Sequence, residues 1–119
     1  MALIPFFEAK TYLRVDSSDE DALIGILLSF AEQLCVDVAR LSAEQWKVID
    51  SVTFDSEGST IPIETDLYTT EELECVRSVM RVAILYSLGY LYEHREEADH
   101  HALTLTLRSL LFSIREGVV

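Results

Sequence analysis

The chain has 119 residues, half of them hydrophobic, with 21 acidic against 9 basic side chains and a formal net charge of −12. That length holds one core and not two, so the chain reads as a single domain over residues 1–119, and the apolar content argues against wholesale disorder. So acidic a balance repels a nucleic-acid backbone instead of neutralising it, which speaks against conventional DNA binding.

The first predicted helix starts at Pro5, a residue favoured at the first helical position. Phe6, Ala9 and Leu13 follow at spacings of three and four and give it one apolar face. Ser18 is placed to cap a second helix over about 19–40, with Asp19, Glu20 and Asp21 in its first turn, where negative charge complements the helix dipole. Along that helix Leu23, Leu27, Phe30, Leu34 and Val38 form one stripe, and Ile24, Leu28, Ala31 and Cys35 a second beside it. So broad an apolar surface predicts burial on more than one side, against the helix's own core and against a neighbouring subunit.

Ser42-Ala-Glu-Gln45 has the spacing of a capping box and predicts a short helix to about Ile49. The pattern then weakens. Val52-Thr-Phe54 and Thr60-Ile-Pro-Ile63 are β-prone and flank the turn-rich stretch Asp55–Ser59, which predicts an extended loop or marginal hairpin over about 52–68. Pro62 argues against a central strand there.

Thr70 with Glu71 and Glu72 opens the next long helix, predicted to reach about Glu96. Leu73, Val76, Met80, Ala83, Ser87 and Tyr90 mark one face, and Val79, Val82, Tyr86 and Gly89 another; Arg81 alone interrupts the middle. Such a helix belongs at the centre, with Ile84 and Leu88 buried. Gly89 costs about 1 kcal/mol relative to Ala inside a helix, which predicts close packing there. In the last segment Leu103-Thr-Leu-Thr-Leu107 alternates like a strand, but Leu103, Leu107, Leu110, Leu111 and Ile114 keep helical spacing over a longer window. Gly117 fits just beyond that helix. The expected fold is all-α, a small bundle of four to five helices.

Cys35 and Cys75 fall inside helical patterns and read as two buried free thiols in a reducing compartment, with a single disulfide as the alternative. No basic region precedes an apolar stretch at the N-terminus, so no signal peptide is expected. The longest uncharged apolar run, Val82–Tyr92, falls short of the roughly 20 residues of a membrane span. The expected setting is the cytoplasm of the producing cell.

The candidate chemistry is thin. Counting from Asp16, a calcium loop needs glycine at position 6 and glutamate at position 12, where Asp21 and Leu27 stand, so helix capping is the better reading. His94, His100 and His101, with Glu93, Glu96, Glu97 and Asp99, form a metal-like cluster, yet its spacing matches no zinc motif and a solvated connection between helices accounts for it. Glu71/Glu72 and Glu96/Glu97 diverge around a helix and do not converge on a substrate. Tyr86 and Tyr90 share a face one turn apart while Tyr92 points elsewhere, which suits core packing or, alternatively, a subunit interface. The chain carries no phosphate loop and no serine-nucleophile motif, and no enzyme activity, cofactor or metal is expected.

Three phrases carry more. Lys10-Thr-Tyr-Leu-Arg-Val-Asp16 with Glu20-Asp21, Tyr90-Leu-Tyr-Glu-His-Arg-Glu96, and Leu110-Leu-Phe-Ser-Ile-Arg-Glu-Gly117 stand in that order along the chain. Together they resemble the head–tail connector (head-completion adaptor) proteins of long-tailed bacteriophages and prophages. The likeness covers nearly the whole chain except about residues 42–68.

The resemblance implies a helical structural protein of virion assembly and DNA packaging that forms a homo-oligomeric ring at the head–tail junction. Its partners would be the portal protein above and the next head-completion or tail-joining protein below, with DNA passing through the channel. It implies no catalytic residue and no cofactor. Arg14, Arg95 and Arg115 lie in the three phrases at predicted helix ends and are the candidates for structural ion pairs or interface contacts. The runner-up is an acidic helical adaptor or regulator of a host protein; a DNA mimic is one form of it, against which the carboxylates cluster at helix starts and the 93–99 turn instead of following phosphate spacing. A metal-dependent hydrolase built on residues 94–101 is a distant third.

Overall fold

The computed structural model describes residues 3–50, 68–94 and 101–114. Among these, five α-helices and one 3-10 turn form a small all-α bundle, and no strand occurs. They are α1 (Phe6–Leu13), α2 (Asp21–Ala39), α3 (Ala43–Asp50), α4 (Thr70–Glu93) and α5 (His101–Leu111), the last continued by the 3-10 turn Phe112–Ile114. The expected loop or hairpin at 52–68 lies outside the described residues except for Tyr68, as does Gly117.

Helix α4 is the hub and meets all four other helices. Its face of Leu73, Val76, Met80, Ala83, Ile84, Ser87 and Leu88 is buried. It packs against α2, whose Leu28, Ala31 and Cys35 share its core cluster, and against α5, whose Leu103, Leu107 and Leu111 do the same. The expectation that α2 and α4 form the core therefore holds. Burial of α4 on every side does not. Val82 is 59% exposed and Tyr86 41%, so the second apolar stripe forms an open outer face.

By length and composition α2 is apolar enough to cross a membrane, but its Ile24–Cys35 stripe is buried within the protein and it carries Glu32 and Asp37.

The helix ends show where local chemistry decides. Pro5 is the N-cap of α1, one place earlier than expected, and its carbonyl accepts from the amides of Glu8 (3.0 Å) and Ala9 (3.2 Å). Ser42 and Gln45 form the expected capping box: the Gln45 amide donates to Ser42 Oγ at 3.1 Å and the Ser42 amide to Gln45 Oε1 at 2.8 Å. For α4 the cap is Thr69, not Thr70, because only Thr69 has a glutamate three places on, and Thr69 and Glu72 exchange both bonds.

Helix α2 starts at Asp21 with Glu20 as N-cap and no side-chain cap, so Ser18 does not serve as the cap. The acidic residues around that turn are engaged elsewhere, Asp21 with Lys10 and Glu20 with Tyr92.

Both α1 and α2 end on arginines in the left-handed region, Arg14 at φ 59° and Arg40 at φ 57°. At each end the paired bonds of a Schellman motif close the helix: Val15 to Lys10 and Arg14 to Thr11, then Leu41 to Val36 and Arg40 to Asp37. Leu41 and Val36 are both buried, the hydrophobic contact that accompanies this motif.

Both cysteines are free, but they differ in setting. Cys35 is buried, whereas Cys75 is exposed on α4, contrary to the expectation of two buried thiols. The Cys35 thiol lies 3.5 Å from Ser87 Oγ, whose hydroxyl donates to the Ala83 carbonyl at 2.8 Å. Burial pushes the thiol up to about 11, further than the Ser87 bond lowers it, and Glu32 raises it as well. An unreactive core cysteine results.

Candidate functional site

Helix α1 runs beside α4 in the same direction, because Glu8 meets Arg81 and Tyr12 meets Gly89. This alignment brings the segment Tyr12–Arg14 against Tyr86–His94. They enclose a cleft of about 600 Å³, lined by Tyr12, Leu13 and Arg14 from one side and by Tyr86, Gly89, Tyr90, Tyr92, Glu93 and His94 from the other. Segments nearly eighty residues apart in sequence thus form one surface.

Its walls are fixed by specific contacts. The Tyr12 ring crosses Gly89 so closely that a Cβ there would stand 3.2 Å from Tyr12 Cε1. The predicted close packing at Gly89 is therefore present, and the partner is an aromatic ring of α1. Tyr90 and His94 stack with ring centroids 4.2 Å apart, and His94 Nδ1 donates to the Tyr90 carbonyl at 2.9 Å. Tyr92 Oη donates to Glu20 Oε1 at 2.9 Å, tying the end of α4 to the start of α2. Tyr92 therefore joins the same cleft as Tyr86 and Tyr90, contrary to the expectation that it points elsewhere. The helix-wheel argument missed this because the cleft wraps around the end of α4.

Lys10 Nζ lies 2.8 Å from Asp21 Oδ1, a buried oxygen that receives no well-directed hydrogen bond, so charge pairing is what joins α1 to α2 there. The acidic turn is thereby held against α1 and α4.

Arg14 lines the cleft with its side chain exposed, and its guanidinium makes no ion pair among the described residues. Arg95 and Arg115 lie outside the described residues, as do Glu96, Glu97, Asp99 and His100 of the histidine-rich segment. Among the described residues no three His, Cys, Asp or Glu side chains gather where a metal ion could be held.

The arginines that do bind within the subunit are two that sequence reasoning did not select. Arg81 takes both carboxylate oxygens of Glu8 and also donates to the Leu3 carbonyl at 3.0 Å. Arg77 donates to the carbonyls of Ile49 (3.1 Å) and Val48 (3.3 Å), capping the C-terminus of α3. Arg81 looked like an interruption in an apolar helix; its partners stand 73 and 78 residues away, where no local pattern reports them.

A second exposed feature lies on the outer face of α4 and α5. Ser78, Val79, Val82 and Leu110 line a shallow groove that carries no charged side chain. Phe7 and Phe112, 71% and 60% exposed, are further apolar surface residues.

Compared with protein-family models, with curated proteins and with solved structures, the chain matches none.

Proposed function

We propose that this chain is a structural subunit of a phage or prophage head–tail connector, assembling as a ring below the portal protein and presenting a platform to the next tail-joining protein. The observation that carries the reading is the convergence of Lys10–Asp16 and Tyr90–His94 on one tyrosine-rich cleft. The resemblance rests on those phrases as separate strings. Their meeting at one surface gives them a common structural purpose.

The exposed side chains also support it. Tyrosine and arginine are enriched at subunit interfaces, and Tyr12, Tyr86 and Arg14 stand open at this cleft. In the proposed ring Arg14 pairs with a carboxylate of the neighbouring subunit, and Arg95 and Arg115 serve as further structural ion-pair or interface residues. A net charge of −12 suits a channel wall past which DNA slides without being gripped. The protein acts in this reading without catalysis or cofactor, at the head–tail junction of the virion, after assembly in the bacterial cytoplasm.

The test is complementation in vitro. DNA-filled heads and free tails from a strain lacking this gene are mixed with the purified protein, and infectious particles are counted. The proposal predicts that titre is restored by the wild-type chain and not by Arg14→Ala. No restoration, together with a protein that remains monomeric beside purified portal rings, would favour the acidic adaptor reading instead.

A further inference from the structure

Arg14 and Glu93 stand on opposite walls of the tyrosine cleft, and both side chains are exposed. Local structure fixes the backbone from which each one leaves. Arg14 ends α1 at φ 59°, with its amide bonded to the Thr11 carbonyl and the Val15 amide to the Lys10 carbonyl. Glu93 is the last residue of α4. No ion pair joins Arg14 to Glu93 within the subunit.

The end of α4 calls for a cation. The partial negative charge of a helix C-terminus and the Glu93 carboxylate add there, and the last turn of α4 contains no basic residue. Beside them the half-exposed ring of Tyr86 and those of Tyr90 and Tyr92 line the cleft. A guanidinium stacks on aromatic faces and pairs with a carboxylate at once, so an arginine suits this wall better than a lysine. On the other side, Phe7, Thr11 and Arg14 follow one another at helical spacing along the exposed edge of α1. One chain therefore holds both the acidic wall and a guanidinium that fits it, unjoined.

We infer that Arg14 of one copy pairs with Glu93 in the cleft of a second copy of this chain, its guanidinium lying over the tyrosine rings. The pairing rests on the reading of the cleft as a subunit interface and names the carboxylate that Arg14 reaches there.

Charge selects the occupant. A chain of net charge −12 repels its own copies over most of its surface. A cleft with one cation and one anion on facing walls is a place where two copies meet with opposite charges matched. Other basic side chains near it are engaged inside the subunit, Lys10 by Asp21 and Arg81 by Glu8 and the Leu3 carbonyl. Because each copy carries both halves of the pair, reversing Arg14 alone or Glu93 alone sets like charges together at every contact. Two chains with opposite reversals match again, which a pair formed within one chain does not do.

Sedimentation equilibrium of the full chain at neutral pH and low salt tests this. The wild type should associate reversibly, and Arg14→Glu or Glu93→Arg should each weaken association at least about tenfold, the low end for a close charge pair across an interface. An equimolar mixture of the two variants should recover wild-type association as a mixed assembly, and the chain carrying both reversals should do so by itself. A wild type that stays monomeric, single variants that associate as the wild type does, or a mixture no better than its components would each overturn the pairing. The complementation assay separates this from the connector reading. A monomeric wild type that still restores titre ends the pairing alone, whereas matched reversal with no restored titre ends the connector reading alone.

Discussion

Tyr12 of α1 lies across Gly89 of α4, its Cε1 atom 3.2 Å from the place a Cβ on residue 89 would take. That contact sets how close the two helices come and thereby forms the wall of the cleft. Gly89→Ala gains about 1 kcal/mol of helix propensity but must displace the half-exposed Tyr12 ring, so its net effect should fall within about 1 kcal/mol of zero. In a Tyr12→Ala background the same substitution should become stabilising by about 1 kcal/mol. A double-mutant cycle by chemical denaturation measures the coupling, and strict additivity would show that the two residues do not press on one another.

Burial along α4 separates its two faces sharply. Ile84 and Leu88 are fully buried, while Val82, beside them in sequence, is 59% exposed. Ile84→Ala or Leu88→Ala should cost about 2–5 kcal/mol of stability, and Val82→Ala should stay within about 0.5 kcal/mol. Equal losses at all three positions would mean that α4 is rotated relative to the core described here.

Much of this was legible in the sequence, and the exceptions share a physical cause. Helical spacing located all five helices, and the Ser42–Gln45 box marked one start without ambiguity. At Thr69–Thr70 the same rule was available but unused: Thr69 has Glu72 three places on, whereas Thr70 has Leu73. What local reasoning could not supply was the alignment of α1 beside α4. Arg81–Glu8 and Tyr12–Gly89 are long-range contacts, and the cleft exists only because of them. Exposure of Cys75 and Val82 was hidden for a related reason: an apolar residue on a broad stripe does not reveal where the stripe ends.

The left-handed arginines offer a way to separate stability from assembly. A non-glycine residue in that region carries a penalty of roughly 1–2 kcal/mol, offset in part by the larger unfolded-state entropy of glycine. Arg14→Gly and Arg40→Gly should each stabilise the subunit by roughly 0.5–1 kcal/mol. Arg14→Gly should nonetheless fail to join heads to tails if the Arg14 guanidinium reaches a neighbouring subunit, while Arg40→Gly should remain competent. A destabilised Arg14→Gly subunit would place its side chain in an intramolecular contact instead.

Glu32 sets a pH dependence of stability whose sign follows from its folded-state value, pushed up to about 7 chiefly by burial. The contribution is most favourable below about pH 4.5 and is lost as pH rises through 7, so Glu32→Gln should raise Tm at pH 8 and leave it nearly unchanged near pH 4. Thermal melts of both proteins across that range measure it, and a gain that is the same at pH 4 and pH 8 would contradict the assignment.

The connector reading is tested most directly by deleting this gene from a prophage that produces particles and imaging the lysate by electron microscopy alongside a count of infectious particles. The account predicts separate heads and tails, heads that leak their DNA, and an infectious titre near zero that returns when the gene is supplied in trans. Tailed particles of normal number and titre after the deletion would contradict it.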